Sequence, residues 1–175
     1  MKKMKRLVAV LLAGIMALAM LTACGCGSST PTSDVEKAEA LYMDSCNTVL
    51  DADADYENDA ELKNQAKRIL TDSLDENGAL KNGQKMTVTT YDKDAPLSAW
   101  TTVTILAQTG NENVPYGITS EELALANKDK ANADVRSNFG KMGVTKETTT
   151  GLAVGAVKKG DKVYVAIAVK TERKK

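Results

Sequence analysis

The sequence predicts a layered α+β domain, with helices on both sides of a small, mainly antiparallel sheet. Two early segments repeat apolar residues at helical spacing: Val35, Ala38, Tyr42 and Val49, then Leu62, Ala66, Ile69 and Leu70. The C-terminal end instead alternates in period two, with Val163, Val165, Ile167 and Val169 on one face. The resulting order, ααβ(β)αββ, segregates helices from hairpin-connected strands, which is the pattern of an α+β fold.

In chain order, Ser33 caps the first helix with Glu36 at the capping-box position, and the helix runs to about Leu50. A second helix begins near Asp59, and Asn77-Gly78 is expected to stop it. Met86 to Tyr91 and Thr101 to Gln108 alternate as strands, separated by the break at Asp94-Ala-Pro-Leu. Residues 111–117 read as a loop. Thr119 or Ser120 caps a third helix, with Glu121 and Glu122 in its first turn, extending to about Phe139 and ending at Gly140. Gly151 to Lys158 and Asp161 to Lys170 close the chain as a hairpin around Lys159-Gly160.

Ahead of this domain, 34–172, stands a leader. Lys2, Lys3, Lys5 and Arg6 precede an apolar run from Leu7 to Leu21, too short for a bilayer core of roughly 30 Å. Residues 1–23 therefore read as a cleaved signal peptide. Leu21-Thr22-Ala23-Cys24 resembles the lipobox of bacterial lipoproteins, which implies cleavage before Cys24 and a diacylglycerol on its sulfur. Residues 24–33 then form the lipidated cysteine and a Gly/Ser/Thr tether. The implied location is the extracytoplasmic face of a membrane, held by acyl chains.

Composition narrows the function. The chain holds 23 basic and 23 acidic residues, and four of the basic ones lie in the leader, so the mature part is mildly acidic. That balance does not suit a nucleic-acid partner. There is no histidine, which removes Ser-His-Asp and Cys-His catalysis and most zinc sites. No S-x-x-K pattern and no Gly-rich phosphate loop is present. The expectation is a protein without a catalytic set. Cys46 is either a small buried apolar residue or a partner for Cys26.

Two stretches could carry a site. Asp51, Asp53, Asp55, Glu57 and Asp59 place oxygen ligands at alternate positions, as a calcium loop does. The match then fails: Tyr56 stands where Gly is needed and Leu62 where a bidentate Glu is needed. Weak calcium binding and a solvated acidic linker, with Asp59 capping the second helix, both remain open readings.

The second stretch, Asn111-Glu112-Asn113-Val114-Pro115-Tyr116-Gly117, resembles the Gly-Glu-Asn-Ile-Ala-Tyr-Gly segment of the CAP superfamily, the SCP-like extracellular domains. Other pieces fall in that family's order. Asp59 to Asn77-Gly78 is similar to its second helix, and Val135-Arg136-Ser137-Asn138 stands where bacterial members carry His-Arg-Ala-Asn. Gly151 to Val157 and Gly160 to Val169 resemble its closing strands. The likeness spans about residues 34–171 and implies a three-layer α-β-α sandwich. It also implies a cleft near Glu112, Tyr116, Arg136 and Asn138. The family's two metal-holding histidines fall near Asn82 and at Val135 here, so the implied cleft binds rather than catalyses. Glu112 is equally readable as a loop carboxylate that holds the fold.

The expected function is thus a membrane-anchored lipoprotein with a non-catalytic CAP-like module for a lipid, glycan or protein ligand. The alternative is an envelope lipoprotein of unrelated α+β fold with a structural or protein-interaction role.

Overall fold

The described residues form seven strands and four helices, and both apolar clusters of the domain include residues of one central strand. The computed structural model describes residues 33–50, 56–92, 98–108 and 110–173, all within one compact unit, Pro31–Lys175. The elements are α1 (Asp34–Leu50), α2 (Ala60–Ser73), β1 (Thr87–Asp92), β2 (Ser98–Ile105), β3 (Ala107–Gln108), β4 (Asn111–Pro115), β5 (Gly117–Thr119), α3 (Ser120–Leu125), α4 (Lys128–Met142), β6 (Thr149–Lys159) and β7 (Lys162–Arg173). The fold is α+β.

β7 is the central strand. One of its edges carries β2 along the C-terminal half and β5 along the N-terminal half, and the other carries β6. β1 extends the sheet beyond β2, and all these pairings are antiparallel. β3 and β4 form a separate small hairpin. The period-two pattern of β7 decides what each face meets. Val163, Val165, Ile167 and Val169 are fully or almost fully buried and join Leu152, Val154 and Ala156 of β6 against residues of α1, α3 and α4. Tyr164, Ala166 and Ala168 point the other way and pack with Leu62, Ala66 and Leu70 of α2. Burying each large aliphatic side chain is worth about 1.5–3 kcal/mol, so these two clusters dominate the stability of the domain.

The α2 face of the sheet is built from small residues, and this brings the helix close. A Cβ added at Gly155 would come within 2.8 Å of the Lys63 carbonyl oxygen and 2.9 Å of the Ala66 Cβ. Ala153, Ala166 and Ala168 surround that point.

Local signals act where they were expected at α1. The Ser33 hydroxyl accepts from the Glu36 N–H at 3.2 Å while the Glu36 carboxylate accepts from the Ser33 N–H at 3.0 Å. Five features differ from the sequence expectation. α2 ends at Ser73 and not at Asn77-Gly78, because Leu74 turns to extended backbone to pair with Leu80. Asp75 then organises the turn, its carboxylate accepting from the N–H groups of Asn77 and Ala79 at 2.9 Å each. The single helix expected over 119–139 is two helices. Ala126 adopts a left-handed conformation (φ 42°), and the Asn127 side chain caps α4 by accepting from the Lys130 N–H. α4 passes through Gly140 and stops at Gly143, whose positive φ of 63° suits the terminal position. Residues 111–117, expected as a loop, supply β4 and the start of β5. The closing hairpin pairs Lys159 with Lys162, so its turn is Gly160-Asp161 rather than Lys159-Gly160.

Candidate functional site

The β3–β4 hairpin leans towards one face of α4 and leaves a groove of about 300 Å³ between them. Its polar walls are Gln108 and Glu112 from the hairpin and Asp134, Ser137, Asn138 and Lys141 from the helix. The helix residues follow the i, i+3, i+4, i+7 spacing of one helical stripe. Glu112 and Lys141 bridge the groove with an ion pair at 2.9 Å, the Glu112 side chain remaining 72% exposed. Asn138 is buried and donates from its amide to the Asp134 carbonyl oxygen at 2.8 Å.

Behind the groove runs a polar network. The Asp134 carboxylate accepts from the Tyr42 hydroxyl at 3.1 Å and from the Lys130 ammonium at 2.8 Å. The Lys130 ammonium also sits 4.0 Å above the centre of the Tyr116 ring. The Tyr116 hydroxyl donates to Glu122 at 2.5 Å, and Glu122 closes a capping box with Thr119. Each group's protonation follows from its neighbours. Burial, then Asp134, pushes the Tyr42 hydroxyl far up, and burial with the Glu122 contact raises Tyr116. The Thr119 backbone N–H and then the Tyr116 hydroxyl hold Glu122 below the usual carboxylate range. Burial opposes the charge on Lys130, but its bonds to Asp134 and Tyr116 outweigh it and raise its pKa. The phenols are thus held protonated, as donors rather than bases.

Tyr116 also borders a second, wider cavity of about 610 Å³ together with Leu80, Val114, Lys162 and Tyr164. Tyr164 lies against Gly78 and Gly117, where a side chain at either position would collide with its ring or hydroxyl, and it donates to the Asn77 carbonyl oxygen at 3.2 Å.

The four cleft residues read from the sequence are therefore only partly brought together. Glu112 and Asn138 border the smaller groove, and Tyr116 borders the larger. Arg136 is exposed and lines neither, because it falls outside the stripe of α4 that meets the hairpin. Val135, at the position of a family histidine, is fully buried in the core. Asn82 is exposed in a turn. Asp134, Lys130, Tyr42, Ser137 and Lys141 were not anticipated. The i, i+4 spacing of Lys130 and Asp134 was the signal available for that pair.

Of the acidic stretch, Asp51, Asp53 and Asp55 lie outside the described residues, as do Cys24 and Cys26. Glu57 is exposed, and Asp59 caps α2 by accepting from the Leu62 N–H at 2.9 Å. Among the described residues, no group of three or more acidic or cysteine side chains gathers as a metal site, and no helix is long and apolar enough to cross a membrane. Cys46 carries a free thiol buried in the core, and burial pushes its pKa far up. No family model, curated protein or solved structure matches the chain.

Proposed function

We propose that the protein is a lipid-anchored, extracytoplasmic lipoprotein whose domain is a non-catalytic binding module of CAP type, a three-layer α-β-α sandwich. The observation that carries the binding role is the groove in which Glu112 faces the Asp134, Ser137, Asn138 and Lys141 stripe of α4. Its walls offer carboxylates, an ammonium, carboxamides and a hydroxyl, but no histidine. Such a set suits recognition through many hydrogen bonds, and among lipid, glycan and protein ligands it favours a hydroxyl-rich glycan. The lipobox at Leu21 to Cys24 supports the anchor. The packing of α1 and α4 on one face of the sheet and α2 on the other supports the sandwich.

Two experiments test the reading. Cells expressing the full chain are fed radiolabelled palmitate: label on the wild type and none on Cys24→Ala supports the anchor, and equal labelling overturns it. The purified chain is titrated calorimetrically with oligosaccharides of N-acetylhexosamines. Binding heat that is lost in Glu112→Gln and in Asn138→Ala supports the groove. No heat in the wild type, or equal heat in both variants, overturns the glycan assignment.

A further inference from the structure

The sheet treats its two long edges differently. Along the middle of β6, outward-pointing backbone groups of Leu152, Val154 and Ala156 have partners from other elements. The Leu152 carbonyl accepts from the Asp59 N–H at 3.3 Å. Val154 is held on both sides by the Asn58 amide, at 2.9 and 3.0 Å, as a neighbouring strand would hold it. The Ala156 N–H donates to Glu39 at 3.1 Å. That edge is closed to another strand.

β1 forms the opposite edge. The Ile105 N–H donates to the Met86 carbonyl at 2.8 Å, which marks 86/105 as a hydrogen-bonded pair. Antiparallel ladders alternate, so Val88, Thr90 and Asp92 bond towards β2. The N–H and C=O groups of Thr87, Thr89 and Tyr91 point outward, and among the described residues nothing pairs with them. Thr87, Thr89, Thr90 and Tyr91 are exposed, Tyr91 at 72%. Thr87 and Thr89 are fixed to Thr104 and Thr102 by hydroxyl contacts at 3.1 and 3.2 Å, so the strand is presented in a defined shape.

We propose that β1 is a homotypic docking edge, pairing antiparallel with β1 of a second copy about a two-fold axis through Thr89. Two features select a second copy. The run 87–91 is uncharged, free of proline and rich in β-branched residues, so laid antiparallel on itself it sets Thr89 opposite Thr89, and Thr87 opposite Tyr91, with no charge opposed. With β6 closed, this pairing uses the one long open edge among the described residues and ends at a dimer instead of propagating into a fibre. A ladder this short buries less than the roughly 1,200 Å² of a stable interface, so the dimer is weak and concentration-dependent. It does not rest on the anchor or on the glycan groove.

Single exposed cysteines test it in cells expressing the full chain with Cys24→Ser and Cys26→Ser, treated with a membrane-permeant thiol oxidant. Thr89→Cys places two Cα atoms about 5.5 Å apart in a hydrogen-bonded pair, within disulfide reach. Thr87→Cys leaves its two copies about 14 Å apart along the strands, and Glu61→Cys, exposed on α2, reports random collision. The expected result is a disulfide-linked species of twice the chain mass that forms several-fold faster for Thr89→Cys than for either control and increases with expression level. Three results would overturn the proposal: Thr89→Cys no faster than Glu61→Cys, Thr87→Cys as fast as Thr89→Cys, or an adduct of another mass, which would assign the edge to a different protein.

Discussion

Glu39 on α1 reaches the outer edge of β6, where its carboxylate accepts the Ala156 backbone N–H at 3.1 Å. The same carboxylate binds Lys63 at 2.5 Å and Lys67 at 2.8 Å, both from α2. One buried side chain, 5% exposed, thereby ties together two helices that cover opposite faces of the sheet, and it blocks strand addition at that edge. Glu39→Ala leaves a buried N–H without a partner, at a cost of about 1–3 kcal/mol. Lys63→Met and Lys67→Met should each cost less than about 1 kcal/mol, because both lysine side chains are about one-third exposed and water screens their charges. Urea unfolding midpoints measure this. A Glu39→Ala midpoint equal to the wild type would show that the contact contributes nothing.

Gly155 sets how near α2 lies to the sheet. Gly155→Ala must displace the Lys63 carbonyl or the Ala66 methyl, since the new Cβ would sit 2.8–2.9 Å from them. The expected cost is about 1–3 kcal/mol, as for other overpacked cores. A companion Ala66→Gly removes one of the two collisions, at the helix-propensity cost of a glycine. Thermal melts of the two single variants and the double variant should show that the pair is coupled rather than additive. Additive effects would mean that the backbone contact alone governs the site.

The parts of this architecture legible in the sequence are those with one-dimensional signals. The alternation of Val163 to Val169 and the spacing of Leu62, Ala66 and Leu70 each report a buried face directly. The Ser33/Glu36 and Thr119/Glu122 boxes are complete within four residues. The break at Ala126 was hidden because a left-handed alanine has no composition cue, and Asn127 reads as well inside a helix as before one. The groove was hidden for a different reason. Asp134, Ser137, Asn138 and Lys141 read as an ordinary polar helix face until the β3–β4 hairpin, distant in sequence, supplies the facing wall. The resemblance led to Val135 and Arg136, and the packing of α4 turns one into the core and the other to solvent.

Glu122 should make stability pH-dependent on the acid side. Its folded pKa is depressed by the Thr119 N–H and the Tyr116 hydroxyl, so its charged form favours the fold. That contribution is complete above the unfolded carboxylate pKa and disappears as pH falls through the lower folded value. Glu122→Gln, which loses the charged cap, should cost about 1 kcal/mol at neutral pH. The gap between variant and wild type should close as the pH is lowered past the carboxylate range. Chemical denaturation at a series of pH values tests this. A constant gap would assign the effect to shape and not to charge.

Cys46 should be unreactive until the domain opens. Its thiol is fully buried in the α1 core and held protonated by that burial, and only the thiolate attacks an alkylating agent. In the Cys26→Ser chain, labelling of Cys46 by iodoacetamide should be absent in buffer and complete in denaturant. Fast labelling of the native chain would mean that α1 lifts from the sheet far more often than its packing implies.

The Glu112–Lys141 pair separates binding from stability. Both side chains are largely exposed, 72% and 44%, and exposed ion pairs contribute about 0–1 kcal/mol. Glu112→Gln and Lys141→Met should therefore melt within a few degrees of the wild type. If Glu112 instead holds the hairpin to α4, Glu112→Gln should lower the melting temperature clearly, and Lys141→Met should do the same. The groove reading expects unchanged melting with a loss of oligosaccharide binding in Glu112→Gln. A stable variant that binds normally would remove Glu112 from recognition altogether, leaving the cavity beside Tyr116 and Tyr164 as the place where a ligand must be sought.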